Sequence, residues 1–75
     1  MGEIENLAEK IFNAYDDNYP DEDKRKIFEE TFDKYLTAVD LDGKTEPYEA
    51  MVTLGYRHRA DFDKMVKTLK DHSLI

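Results

Sequence analysis

The apolar residues of the first segment, Ile4, Leu7, Ala8, Ile11, Phe12 and Tyr15, recur at i, i+3, i+4, i+7, i+8 and i+11. Only an α-helix gathers that spacing onto one stripe, whereas a strand would scatter the same residues over both faces of a sheet. The rhythm then repeats with Ile27, Phe28, Thr31, Phe32, Tyr35, Leu36 and Val39, with Tyr48, Met51, Val52, Gly55 and Tyr56, and with Phe62, Met65, Val66 and Leu69. Nothing reads as a strand of more than a few residues. The expectation is therefore all-α: a small bundle of about four short helices over approximately 3–15, 21–39, 46–55 and 60–72, the last two separated by a break or nearly collinear.

The residues between these stretches punctuate them. Asp16-Asp17-Asn18-Tyr19-Pro20 closes the first helix with turn formers, and Asp21 is placed as the N-cap of the second, with Glu22 and Asp23 in its first turn. Glu22 with Lys26 and Glu30 with Lys34 stand at i, i+4, the spacing of helix-surface ion pairs. Asp40 to Lys44 reads as a turn, Thr45 as a cap, and Pro47 sits in the first turn of the third helix, where its missing N–H costs little. A glycine at 55 and charged Arg57 to Arg59 place the last break there.

Seventy-five residues hold one core and hence a single domain, 1–75. Area scaling predicts a folded surface of roughly 4,800 Å², with about 60% of the unfolded chain's surface buried, which is near the low end for autonomous folding. No cysteine is present, so neither a disulfide nor a thiolate zinc site supplements that core, and a reducing, cytoplasmic setting is the expectation. No apolar run is long enough to span a bilayer or to serve as a signal peptide, so no membrane role is expected. A charged fraction of 39% would permit disorder, but nine aromatics and regularly spaced aliphatics argue for a folded core.

Charge is divided unevenly along the chain. Residues 1–43 carry thirteen Asp/Glu against five Lys/Arg, a balance of −8, and residues 44–75 carry five against six, a balance of +1, which together give −7. Helix dipoles and i, i+4 pairs account for several of the acids. The dense cluster Asp16, Asp17, Asp21, Glu22 and Asp23 remains, and it is the candidate binding patch, suited to a protein partner with a basic surface. The competing reading is a solvated acidic face that maintains solubility, partly neutralised by Lys24-Arg25-Lys26. Among five tyrosines, Tyr19 and Tyr56 fall at turns and are the candidate interface aromatics.

Residues 38–49 echo a calcium-binding loop, with Asp40, Asp42, Gly43 and Glu49 at positions three, five, six and twelve of the EF-hand pattern. Position one is Ala38, which offers no ligand, and position eight is Thr45. A plain helix-to-helix turn explains the same letters, and no metal is expected.

The run from Leu54 to Lys67, with its Gly55-Tyr56 pair followed by Phe62, Lys64 and Val66, resembles the second helix-turn-helix of AraC-type regulators. Leu69 and Ser73-Leu74-Ile75 also look like the exit from a recognition helix in winged-helix proteins. The resemblance covers about a quarter of the chain and implies a DNA-binding surface made by Arg57, His58, Arg59, Lys64 and Lys67. A net charge of −7 opposes it, because duplex binding rests on neutralising phosphates, and Asp61 and Asp63 stand in the first turn of the helix that would read the DNA.

Catalysis finds few groups. Ser73 is the lone serine, His58 and His72 stand fourteen residues apart with no acid placed to orient both, and Gly2, Gly43 and Gly55 form no phosphate loop. The expectation is no enzyme and no cofactor, but a small acidic intracellular binding or regulatory protein of the inhibitor or adaptor type, of a size familiar in phage and bacterial genomes. A helix-turn-helix regulator using residues 48–70 is the first alternative, a degenerate single EF-hand the second, and a homodimer remains open.

Overall fold

In the computed structural model, residues 2–39 and 45–75 are described; the turn Asp40 to Lys44, and with it Asp40, Asp42 and Gly43 of the EF-hand echo, lies outside them. The described residues form four α-helices and no strand: α1 (Glu3–Asp17), α2 (Glu22–Leu36) with a 3-10 turn over Thr37–Val39, α3 (Pro47–Arg57) and α4 (Arg59–Asp71).

The ends differ from the sequence expectation for local physical reasons. Helix α1 runs through Asp17 because its stop is set by Pro20, which disfavours helical geometry at the residue before it, while the Asn18 amide side chain donates to the Ala14 carbonyl at 2.8 Å. Helix α2 does start after an Asp21 cap, whose carboxylate accepts the Lys24 N–H at 3.1 Å. Its α-helical part stops at Leu36, where Thr37 turns its hydroxyl back on the Asp33 carbonyl and the last turn tightens. Glu46, not Thr45, stands at the α3 N-cap, with Pro47 following. Helices α3 and α4 are parted by a single residue, His58, whose φ of −127° and ψ of 54° leave helical geometry and turn the chain.

Gly55 does not end α3; it lets α1 approach. A methyl group at this position would sit 2.5 Å from Ile4 Cγ2, so only a bare Cα fits beneath that side chain. At the other end of the same pair, the rings of Phe12 and Tyr48 lie 6.1 Å apart. The two contacts make α1 and α3 antiparallel. The Tyr48 hydroxyl completes the seam by donating to the Glu5 carbonyl at 2.8 Å.

Helix α1 is tied to α2 through Tyr15, whose ring meets Phe28 edge-on and Phe32 at a tilt, both at 5.7 Å. Helix α2 packs in turn on α3 and α4. The stripes converge on one core in which Ile11, Phe28, Met51, Leu54, Phe62, Met65 and Leu69 are wholly buried. The α4 stripe is buried as its spacing predicts, whereas in α3 Leu54, outside the periodic stripe, is wholly buried and Tyr56, within it, stands 57% exposed.

The chain end is fastened as well. Ser73 adopts φ 57°, and the N–H groups of Ser73 and Leu74 donate to the carbonyls of Lys70 and Leu69, both at 2.9 Å. This is a Schellman motif, and it folds Leu74 into the core at 3% exposure. The surface area of 5114 Å² agrees with the size-based expectation.

Candidate functional site

The five acids of the candidate patch meet at the corner between α1 and α2, all exposed, but folding uses them differently. Asp21 caps α2, and Glu22 and Asp23 lie in its first turn, where the positive end of the helix dipole favours carboxylates. Asp16 and Asp17 occupy the last turn of α1, where the dipole is negative and no basic residue offsets them. Neither forms a salt bridge among the described residues. The fold therefore gives a reason for three of the carboxylates and works against the other two.

Arg25 shapes the corner in a way the sequence did not reveal. Its guanidinium lies 4.3 Å from the centroid of the Tyr19 ring, and its Nε donates to Glu29 at 3.0 Å. The Tyr15 hydroxyl donates to the same Glu29 oxygen at 3.4 Å. Arg25 is thus directed along α2 toward Glu29, and Tyr19 is held as a half-exposed platform beside the acids. The expected pairs Glu22–Lys26 and Glu30–Lys34 do not close; Arg25–Glu29 and Arg59–Asp63 are the ion pairs among the described residues.

Tyr56 belongs elsewhere. Its hydroxyl lies 3.2 Å from both carboxylate oxygens of Glu5, near the start of α1. Desolvation, followed by the hydrogen bond to Glu5 and its charge, raises the Tyr56 pKa above the ordinary phenol value. Since Glu5 and Asp17 are separated by about 18 Å of helix, Tyr19 and Tyr56 mark opposite ends of α1 and do not share one surface.

Those basic residues straddle the joint. Arg57 ends α3, Arg59 begins α4, and both are exposed, as are Lys64 and Lys67 farther along. Arg59 forms an ion pair with Asp63 at 3.0 Å, so part of its charge is spent within the chain. The joint of one residue is shorter than the three- to four-residue turn of a helix-turn-helix. Helix α4 turns Phe62, Met65, Val66 and Leu69 inward and presents Asp63 alongside its lysines outward.

Among the described residues, no group of three or more His, Asp or Glu side chains is placed to hold a metal ion. Asp40 and Asp42 of the EF-hand echo lie outside those residues. No helix among them is long and apolar enough to cross a membrane. Set against known proteins, the chain matches no family, no curated sequence and no solved structure.

Proposed function

We propose that this chain is a small binding protein of the inhibitor or adaptor type, whose acidic corner docks the basic surface of a protein partner. The observation that carries the reading is the placement of Asp16 and Asp17: two exposed carboxylates at the negative end of α1, with no basic residue in that turn and no salt bridge among the described residues. Such a pair opposes the stability of its own helix, and an incoming Lys or Arg relieves it. Glu22, Asp23 and the half-exposed Tyr19 ring extend the same corner into a mixed acidic and aromatic surface. The mechanism is recognition: complementary charge speeds encounter, and the ring supplies desolvated contact.

The test compares two neutralised chains of equal charge. One carries Asp16→Asn, Asp17→Asn, Glu22→Gln and Asp23→Gln; the control carries Glu3→Gln, Glu9→Gln, Glu46→Gln and Glu49→Gln. Proteins captured from the source cell are quantified by mass spectrometry, and binding of the purified partner is measured at 50 and 200 mM salt. The corner variant is expected to lose a basic partner that the control retains, with circular dichroism helical in both. Equal retention by both chains refutes the docking surface. Retention of duplex DNA at 50 mM salt, abolished by Arg57→Ala, Arg59→Ala and Lys67→Ala, would instead support the helix-turn-helix reading.

A further inference from the structure

A cavity of about 330 Å³ opens between α2 and α4, with Ile27, Glu30, Thr31, Lys34 and Tyr35 lining it from α2 and Thr68 and His72 from the α4 end. Thr31 is the one buried polar residue among the described residues, 6% exposed, and since none of their buried side-chain oxygens is left without a partner, its hydroxyl, which makes no hydrogen bond there, is open to solvent at the groove. The facing hydroxyl of Thr68 donates to the Lys64 carbonyl at 2.8 Å, which leaves its lone pairs free to accept. Glu30 is exposed at the rim and forms no salt bridge among the described residues.

The cavity continues the acidic corner. Asp23, Ile27, Glu30 and Lys34 stand at i, i+4, i+7 and i+11, so one stripe of α2 leads from the corner into the groove. From this continuity, and resting on the docking reading above, we infer that the groove between α2 and α4 seats an arginine side chain of the basic partner. The stem lies along Ile27, and the planar guanidinium has acceptors at the Glu30 carboxylate and the Thr31 and Thr68 hydroxyls. Arginine suits this set better than lysine because its rigid fork of donors can serve several acceptors at once.

Two groups oppose the incoming cation. Lys34 and His72 stand on the lining, and the Lys34 ammonium lies 5.1 Å from the centroid of the Tyr35 ring. An ammonium of the chain itself thus already stands beside an aromatic ring of the lining, and the partner's arginine must displace it or share the site. Removing Lys34 therefore tightens binding.

Hepta-arginine and hepta-lysine serve as probes, titrated into the ¹⁵N-labelled full chain and followed by amide shifts. Hepta-arginine is expected to move the amides of residues 16–23 and also those of Ile27, Thr31 and Thr68, whereas hepta-lysine moves the first set alone. Thr31→Val and Glu30→Gln each weaken hepta-arginine binding by roughly three- to tenfold and remove the groove shifts while the corner shifts persist. Lys34→Met strengthens it by about two- to threefold. Shifts confined to the corner, or groove shifts indifferent to Thr31→Val and Glu30→Gln, overturn the arginine seat and leave the docking surface standing. No shift at either place with either peptide overturns both.

Discussion

Replacing Gly55 by alanine sets two effects of opposite sign against each other. Within a helix, alanine is better than glycine by about 0.5–1 kcal/mol, because glycine gives up more backbone freedom on folding. In this helix the added methyl group would lie 2.5 Å from Ile4 Cγ2, 3.3 Å from Cδ1 and 3.6 Å from Cβ. Ile4 is branched at Cβ and sits in α1, where one χ1 rotamer dominates, so its side chain cannot swing clear without leaving that rotamer or shifting the helix. Overpacking of this kind costs about 1–3 kcal/mol. The clash outweighs the propensity gain, and Gly55→Ala is expected to destabilise the fold by about 0.5–2 kcal/mol. That is a large part of the roughly 4–11 kcal/mol that a chain of this length has in all.

With Ile4→Ala in place the obstructing side chain is gone, and the same Gly55→Ala change should stabilise by about 0.5–1 kcal/mol. The reversal of sign is the signature. Urea denaturation of the four chains, followed at 222 nm, gives the coupling energy provided that the m values agree. A coupling of about 1–3 kcal/mol is expected. If Gly55→Ala has the same effect in both backgrounds, or stabilises the parent chain, then α1 and α3 do not approach through Gly55 and the explanation of this glycine fails.

Other outcomes follow from the same geometry. Leu54→Ala should cost about 2–5 kcal/mol, since Leu54 is wholly buried, and its neighbour Val52→Ala distinctly less, both read from urea midpoints. Ser73→Gly should raise stability by about 0.5–1 kcal/mol, because serine at φ 57° bears a left-handed strain that glycine does not; an unchanged or lowered melting temperature would contradict the Schellman assignment. Asp21→Ala should lower stability by about 1 kcal/mol and Asp21→Asn should leave it nearly unchanged, as expected of an N-cap whose acceptor oxygen matters more than its charge. The Tyr56 pKa is raised in the folded chain, so its contribution is fully present below the unfolded phenol value near 10. It is lost as pH rises through the folded value. Stability should therefore decline in that alkaline window, and Tyr56→Phe or Glu5→Gln should flatten the decline in a pH series of urea titrations.

Four helices were legible in the order of the residues because amphipathic spacing is a local property: each stripe states that a helix must cover one side, whatever covers it. The Asp21 cap and the stop before Pro20 were legible for the same reason, since the groups concerned lie within a few residues of one another. The acidic corner could also be read directly, because its five carboxylates fall within eight consecutive residues.

Partnership between stripes was decided only in three dimensions. Gly55 looked like a helix end, yet it is a point of close approach, and the cause is Ile4, fifty-one residues away. Tyr19 and Tyr56 looked alike as tyrosines at turns, but one lies under Arg25 at the end of α1 and the other bonds Glu5 at its beginning. Thr31 belongs to an apolar stripe by spacing, and only the pairing of α2 with α4 makes it part of a cavity wall. Periodicity determines which side of each helix is covered, because that depends on 3.6 residues per turn. Which helix covers it depends on the fit of side chains from distant parts of the chain, and that fit decided where the acids, the tyrosines and the basic residues stand relative to one another.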